Sequence, residues 1–148
     1  MEAQKVLLTT DLSDEALRPF ESVATLAKKL GMTVHLLHVV EDLTVAPHGA
    51  PLAPSLHSPS LAHEMERARG ILEEQKASLG HQVEVSTDVT SSDDVAGAIA
   101  DYAARHHCDL IALSTHGRSG FRRMVMGSVA EKVLRHAKVP VIVFPRQE

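Results

Sequence analysis

The chain has 148 residues, of which 44% are hydrophobic and 23% are charged, a composition typical of one globular domain spanning residues 1–148 rather than of a disordered chain. It has 15 basic and 19 acidic residues, a formal net charge of −4, three Phe, one Tyr and no Trp. Nucleic-acid binding needs a basic surface and aromatic side chains for stacking, so we expect no nucleic-acid partner.

The cysteine content and the apolar runs bear on the compartment. The single cysteine, Cys108, excludes an internal disulfide and favours a reducing environment. No apolar run reaches the ~18 residues that a membrane span requires, and the first residues do not follow a signal-peptide pattern. We therefore expect a cytoplasmic protein that has no membrane partner.

The first part of the chain predicts a strand followed by a helix. Residues 6–10 form a short, β-branched-rich apolar run, and residues 11–15 supply cap and first-turn side chains for a helix. Apolar residues then recur at steps of three and four up to Leu30, and Gly31 stands where a left-handed C-terminal cap would be. Pro19 removes an interior hydrogen bond, which predicts a kink or a restarted first turn.

The middle of the chain predicts a strand, a loop, a helix and a further strand. Residues 33–40 form the second strand, and residues 41–60, which contain four of the seven prolines, predict a long, flexible loop. Apolar residues at helical spacing predict a second helix over 61–79, ended by Gly80. Valines that alternate with polar residues over 83–89 predict a half-exposed third strand.

The last part of the chain predicts two more helices and two more strands. Residues 92–94 (Ser-Asp-Asp) open a third helix, since acidic side chains suit the positive end of a helix. Residues 110–113 form an apolar fourth strand, which a Gly-rich loop follows. Ser128 and Glu131 form a Ser-x-x-Glu capping box for a last helix, and residues 141–144 form the fifth strand.

The order of these elements is βαβαβαβαβ, which predicts an α/β fold: an open, parallel five-stranded sheet with helices on both faces. Right-handed crossovers favour a flavodoxin-like strand order, 3-2-1-4-5, in which the direction of winding reverses between strands one and four. Ligands of such folds bind at the carboxyl ends of the strands at this reversal. We therefore expect the loops over 9–13 and 114–128 to form the site.

The loop over 114–128 has the residue types that bind phosphate. Glycines let the backbone approach a ligand closely, and the free N–H groups at the start of the last helix favour an anion. The loop contains three glycines and three arginines: Gly117, Gly120, Gly127, Arg118, Arg122 and Arg123. In the structural alternative, the glycines only serve turns and Ser128 only caps the helix.

Asp11, in the turn after the first strand, also has two interpretations. It is either a hydrogen-bond acceptor for a nucleoside or a helix N-cap.

The other motifs in the sequence are weaker indications of function. The chain has no Gly-x-x-x-x-Gly-Lys-Ser/Thr sequence and no Gly-x-Gly-x-x-Gly sequence after the first strand, which excludes a P-loop and leaves a dinucleotide site unsupported. There are ten histidines, but His35 and His38 fall on opposite faces of a strand, and we expect no metal site built from histidine. Cys108 is most simply a buried, small apolar residue before the fourth strand.

Four segments together resemble the universal stress protein family over nearly the whole chain, from Val6 to Phe144. Residues 6–13 (VLLTTDLS) resemble the first strand and Asp-x-Ser turn of that family, and residues 36–40 (LLHVV) resemble its second strand. Residues 109–120 (DLIALSTHGRSG) and 127–134 (GSVAEKVL) resemble its specific loop and last helix.

The resemblance implies an ATP or other adenine-nucleotide site (AMP or ADP), with Mg²⁺ held through the nucleotide phosphates and not by metal-ligating side chains. Thr10 and Asp11 would contact the nucleoside, and Val39 and Leu113 would pack on the base, whereas the glycine-rich loop would hold ribose and phosphates. The implied site residues are Thr9, Thr10, Asp11, Val39, Leu113, Ser114, His116, Gly117, Arg118, Gly127, Ser128 and Val129.

The chain departs from the family pattern at two positions. ATP-binding members share Gly, two residues, Gly, nine residues, Gly, then Ser or Thr; here Gly117, Gly127 and Ser128 match, whereas Ser114 replaces the first glycine. The Ser114 side chain either obstructs the nucleotide or supplies a new hydrogen bond. Asp93 stands where the family often has glycine and would bring a carboxylate near the phosphates.

The resemblance also implies a stress-response sensor or regulator that forms a homodimer through the strand over 139–144 and acts on a regulatory protein partner. We see no general base paired with an activated nucleophile, so we expect no catalytic residues and at most slow ATP hydrolysis. A nucleotide-independent interaction module of the same fold remains the alternative. A phospho-receiver is disfavoured because Arg146 lies near the position where that class needs a lysine.

Overall fold

The computed structural model of the protein describes residues 4–42, 60–114 and 127–145. These residues form the strands β1 (Lys5–Thr9), β2 (Thr33–Glu41), β3 (Val85–Ser92), β4 (Leu110–Ser114) and β5 (Val141–Phe144), the helices α1 (Phe20–Leu30), α2 (Leu61–Ala77), α3 (Val95–Arg105) and α4 (Ser128–His136), and a short 3₁₀ helix over Asp14–Leu17. Within this part of the chain, no helix is long and apolar enough to cross a membrane.

The five strands form one parallel sheet in the order β3-β2-β1-β4-β5, which confirms the predicted fold class and strand order. β1 lies at the centre, where Leu8 is in register with Leu36 of β2 and Ala112 of β4. Because helices cover both faces of the sheet, the central strand is a continuous apolar run rather than an alternating one. The switch in winding therefore falls between β1 and β4, at the carboxyl ends of these strands.

Two apolar layers hold the helices against the sheet. Successive side chains of a strand point to opposite faces, so Val6 and Leu8 pack with α1 and α2 whereas Leu7 packs with α3 and α4. Phe20 and Leu72 anchor the two helices of the first face, and both are almost fully buried. These two apolar layers explain why apolar residues recur at helical spacing in the sequence. The carboxyl edge of the sheet lies outside them and is left to polar residues.

The start and the end of α1 confirm the local predictions. Ser13 caps the 3₁₀ helix by accepting from Ala16 N, and the helical path restarts after Pro19, which is the N-cap residue of α1. A proline at this place loses no interior hydrogen bond. Gly31 ends the helix at φ +66°, a left-handed conformation that glycine adopts without steric cost.

Several local predictions are wrong in detail. Ser128 does not cap α4, because Gly127 is the N-cap residue and the Glu131 carboxylate accepts from Arg135 at 2.7 Å instead of reaching back. Asp11 is not a helix cap either, since Ser13 has that role. The third strand begins at Val85 and runs to Ser92 instead of covering 83–89.

The ends of the predicted loop also differ from the structure. Glu41 still belongs to β2, and Ser60 is the N-cap of α2, where its hydroxyl accepts from His63 N at 3.2 Å. The second helix ends at Ala77, before the predicted residue 79, and Gly80 follows it with φ +78°. Residues 43–59, the centre of the predicted loop, lie outside the described residues.

Candidate functional site

A cavity of about 650 Å³ opens at the carboxyl edge of the sheet, within the ~300–1,000 Å³ range of small-molecule sites. It lies at the winding switch between β1 and β4, where the fold predicts a ligand. Nine of the predicted site residues line it together: Thr9, Thr10, Asp11, Val39, Leu113, Ser114, Gly127, Ser128 and Val129. The other three, His116, Gly117 and Arg118, lie outside the described residues.

The turn after β1 forms one wall of the cavity and is held by its own hydrogen bonds. The Asp11 Oδ1 atom accepts from the Ser13 amide at 2.9 Å and from the Ser13 hydroxyl. Between them, Leu12 adopts φ +70°, which is uncommon for a residue with a side chain. The turn therefore fixes the orientation of the Asp11 carboxylate before any ligand arrives.

β2 supports the same turn from the side. The Thr10 amide donates to Leu37 O at 3.0 Å, and Thr10 O lies 2.8 Å from His38 Nδ1. Because a carbonyl oxygen can only accept, Nδ1 carries the proton in this contact. His38 is itself part of the cavity wall, so a side chain that the sequence did not single out for the site holds the turn after β1 in place.

The start of α4 forms the opposite end of the cavity. Gly127, Ser128 and Val129 line it, and the Gly127 carbonyl accepts the first helical bond from Glu131 N at 3.0 Å. Gly127 has no side-chain oxygen to offer to the next N–H groups of the helix. These N–H groups and the positive end of the helix dipole make this end favourable for an anion.

Apolar side chains line the cavity between these two ends. Val39 of β2 and Leu113 of β4 are buried on the same face of the sheet, and both reach the cavity. Val95 and Ile99 of α3 complete this side. An apolar group is favoured against these side chains, whereas a fully charged ligand would be desolvated there at a cost.

Sequence reasoning missed the contributions of α2 and α3 to the cavity, and of β2 it predicted only Val39. Glu64, Arg67 and Ile71 line it from one side of α2, and Glu41 lines it from the end of β2. The residues of α2 follow helical spacing of three and four, which was visible in the sequence. Nothing in that spacing indicates which face of the helix meets the site, because the packing of α2 on the sheet decides it.

The two departures from the expected motif have different places in the structure. Ser114 ends β4, in register with Phe144 of β5, and lines the cavity. Asp93 lies between β3 and α3, is exposed, and is not part of the cavity wall. The neighbouring Asp94 caps α3 by accepting from Gly97 N at 3.1 Å. Asp93 therefore does not bring a carboxylate into the described part of the cavity.

The histidines and Cys108 were the other residues considered from the sequence, and the structure shows where His35, His38 and Cys108 lie. Over the described ranges, no group of three or more His, Cys, Asp or Glu side chains could hold a metal ion. His35 and His38 lie on opposite faces of β2, as predicted from their spacing. Cys108 is buried in the core beside α3, and burial raises the pKa of its thiol. It fills space in the way expected of a small apolar residue.

Comparison with known proteins agrees with this architecture. A model of the universal stress protein family matches residues 2–145. Universal stress protein MJ0531 of Methanocaldococcus jannaschii is 29% identical over 148 residues, which cover 98% of this chain and 85% of that protein.

Solved structures share the fold. Protein MJ0577, the subject of a structure-based assignment of biochemical function, has a TM-score of 0.79 at 23% identity, covering 100% of this chain and 99% of that one. A universal stress protein in complex with cAMP has a TM-score of 0.69 at 17% identity, covering 98% of both chains. The universal stress protein of Archaeoglobus fulgidus in complex with dAMP has a TM-score of 0.58 at 20% identity, covering 96% of this chain and 97% of that one. With the family match extending from residue 2 to residue 145, the chain belongs to the universal stress protein family.

Proposed function

We propose that the protein binds an adenine nucleotide in the cavity at the carboxyl edge of the sheet and acts as a cytoplasmic sensor or regulator in the stress response. One observation carries this proposal. A single cavity joins the start of α4 to the turn that holds Asp11, with apolar side chains between them. A nucleotide has a part for each of these surfaces: an anionic phosphate chain, hydroxyl and amino groups that donate hydrogen bonds, and a flat base.

The phosphate chain would lie at the start of α4. The N–H groups that follow Gly127 are the donors that a phosphate needs, and the helix dipole favours its charge. Each hydrogen bond to a charged group contributes about 1.5–3 kcal/mol, so two or three of them supply a large part of a micromolar affinity of about −8 kcal/mol. Mg²⁺ would be held by phosphate oxygens, which suit its octahedral preference for oxygen ligands.

The nucleoside would lie at the other end. The Asp11 carboxylate, already oriented by Ser13, is an acceptor for a ribose hydroxyl or for the adenine amino group. Val39 and Leu113 offer the apolar surface on which the base would stack. The complexes of two structural relatives with cAMP and with dAMP support an adenine nucleotide as the ligand class.

We further propose that the protein is not an enzyme beyond slow ATP hydrolysis. Rapid hydrolysis needs a group that activates or orients the attacking water. The Thr10 hydroxyl in the cavity wall donates to Gln75, an amide that cannot take up a proton. The Nδ1 atom of His38 donates to the Thr10 carbonyl, so this nitrogen does not act as a base.

A homodimer through residues 139–144 would complete the assembly. β5 is at one edge of the sheet, and its four residues, all apolar, are each only partly buried in the single chain. An exposed apolar edge strand pairs readily with its symmetry mate, which covers it in an isologous interface. A regulatory protein partner would then bind this dimer according to whether its nucleotide site is occupied.

Isothermal titration of nucleotide-stripped protein with ATP, ADP, AMP and cAMP, each with Mg²⁺, tests the ligand. We expect saturable heat with at least one of them. Asp11→Ala should weaken the binding by about tenfold, since it removes an acceptor that is charged. Asp93→Ala is the matched control: it removes an exposed carboxylate outside the cavity wall and should leave the affinity unchanged.

The competing function makes the opposite prediction. A nucleotide-independent interaction module of the same fold would give no heat with any of the four nucleotides, and no nucleotide would be released from the denatured, freshly purified protein. Ser114 in the cavity wall is the feature that favours this alternative, because a side chain there occupies space that glycine would leave to the ligand. Absence of both signals would overturn the nucleotide proposal.

A further inference from the structure

Two polar side chains are buried in the described part of the chain, and they bond to each other. Thr10 and Gln75 are each 6% exposed, and the Thr10 hydroxyl donates to Gln75 Oε1 at 2.7 Å. Thr10 precedes Asp11 in the turn after β1, whereas Gln75 lies 65 residues away on α2 and does not line the cavity. Buried polar groups are retained where their hydrogen bonds are satisfied, so this pair requires a structural reason.

Gln75 bonds to both ends of the turn. Its Nε2 atom donates to Ser13 O at 3.4 Å, while its Oε1 atom accepts from Thr10. The Thr10 hydroxyl in turn accepts from the Leu12 amide at 3.0 Å. A reversed amide would place Oε1 against a carbonyl oxygen, so the network permits one orientation of the Gln75 side chain.

The turn between these two contacts is the strained part of the site. Leu12 has φ +70°, which costs free energy for a residue with a side chain and persists where the surroundings hold it. The same turn sets the contact between Asp11 Oδ1 and the Ser13 amide. The amide of Gln75 therefore spans the residues that orient the Asp11 carboxylate.

We propose that Gln75 is a positioning residue for nucleotide binding, which acts through Asp11 and does not touch the ligand. The inference rests on the proposed function, and it adds a residue of α2 to the site's machinery. Without the Gln75 amide, the buried Thr10 hydroxyl loses its acceptor and Ser13 O loses a donor. The turn then relaxes from its left-handed conformation, and the Asp11 carboxylate no longer holds one orientation.

The position of Gln75 on α2 links the turn to a second wall of the cavity. Ile71, one helical turn before it, lines the cavity from the same helix. A helix moves as a rigid element. A ligand that contacts Ile71 and the hydrogen bonds of Gln75 therefore both restrict the position of α2. Binding in the cavity thus stabilises the packing of α2 against the sheet.

A double-mutant cycle between Gln75 and Asp11 tests the proposal. Gln75→Leu keeps the volume and removes the hydrogen bonds, and we expect about tenfold weaker nucleotide binding. In the Asp11→Ala background the same change should weaken binding less than about twofold, because Gln75 then has no Asp11 carboxylate to orient. Equal losses in the two backgrounds, or no loss in either, would overturn the proposal.

A control on the same helix separates positioning from general destabilisation. Leu72→Val removes one methylene group from the buried face of α2 and leaves the contacts of Thr10 intact. Both variants should lower the unfolding midpoint in urea, and only Gln75→Leu should weaken binding. Equal weakening by Leu72→Val would assign the effect to stability and reject positioning.

A readout without ligand keeps this inference separate from the proposed function. In Gln75→Leu, the amide protons of Leu12 and Ser13 should exchange with solvent about tenfold faster, while those of Leu7 and Leu8 in β1 stay protected. This measurement tests whether Gln75 holds the turn that orients Asp11, and it does so even if the wild-type protein binds no nucleotide. Unchanged exchange at Leu12 and Ser13 would reject it.

Discussion

The ring of Tyr102 stacks on the ring of His106, with centroids 3.9 Å apart and planes inclined by 20°. The Tyr102 hydroxyl donates to Asp88 Oδ2 at 3.1 Å, and the His35 ring lies 6.2 Å from that of His106. Lys5 joins the group by donating to the His106 carbonyl at 3.4 Å. These side chains lie outside the cavity wall, and the shifted pKa values of His35 and Tyr102 make the stability of the fold dependent on pH independently of any ligand.

We predict that protonation of His35 destabilises the protein. Burial, followed by the positive charges of Lys5 and His106, lowers the pKa of His35 below 6.5, and the carboxylates of Asp88 and Glu84 oppose this only partly. The buried Nδ1 atom of His35 has no hydrogen-bond partner in the described structure, so a proton there would have no acceptor.

The sign of the effect follows from the direction of the pKa shift. Because the unfolded chain binds the proton more readily, the contribution of His35 is complete above about pH 6.5 and is lost as the pH falls through the lowered pKa. Urea unfolding at about pH 7.5 and about pH 5 should show a smaller loss for His35→Gln than for wild type. The exposed His63, changed to Gln, is the control, and an acid loss equal to wild type in His35→Gln would contradict the assignment.

The protein has a built-in optical probe at Tyr102. It is the single tyrosine of a chain without tryptophan, so absorbance of the phenolate reports one residue. Burial and the Asp88 carboxylate raise the pKa of Tyr102 above its usual 10, so stability is complete below about pH 10 and falls as the pH rises further.

We expect phenolate absorbance to appear together with the loss of helical circular dichroism. Asp88→Asn removes the negative charge and should let phenolate form at a lower pH. Tyr102→Phe should cost about 1 kcal/mol at neutral pH, since it removes one hydrogen bond and leaves the stacking. Phenolate that forms near pH 10 in folded protein would show that the ring is not buried as described.

Ser114→Gly tests whether the departure from the family motif obstructs the site. The change removes the side chain from the cavity wall, and we expect the affinity for Mg²⁺·ATP to rise by about three- to tenfold. The glycine should also cost about 0.5–1 kcal/mol of stability, because it loosens the end of β4. Titration and urea unfolding measure the two effects, and unchanged or weaker binding would reject the steric explanation.

Gly127→Asp is predicted to change stability and binding in opposite directions. Gly127 has φ −58° and ψ 152°, a conformation that any residue adopts, and an aspartate there can cap α4. The protein should gain about 0.5 kcal/mol from the cap and the helix dipole. The same carboxylate occupies the N–H groups that a phosphate needs and repels its charge, so nucleotide binding should fall by more than about tenfold.

Gly127→Ala is the matched control for that experiment, because it adds a side chain without a charge or an acceptor. It should leave the stability nearly unchanged and weaken binding less than the aspartate does. Loss of affinity by the same factor in both variants would show that the phosphate does not depend on the start of α4.

The sequence alone was sufficient for the order of the elements and for the strand order. Short apolar runs, helical periodicity, Pro19 and Gly31 are local signals, and each depends on residues close together in the chain. Right-handed crossovers then left few topologies, so the carboxyl edge beside β1 and β4 followed without coordinates. Nine of the site residues that the family resemblance implied line one cavity at this edge.

Only the tertiary structure decided which side chains face the site. Asp93 and Asp94 are adjacent, chemically alike and both exposed, yet only Asp94 caps α3. In the sequence, Gln75 is one more polar residue of a predicted helix. It is buried beside Thr10 because α2 packs against the turn after β1. Local chemistry determines what an element is, whereas the face that it turns inward depends on contacts between residues far apart in the chain, which no local pattern records.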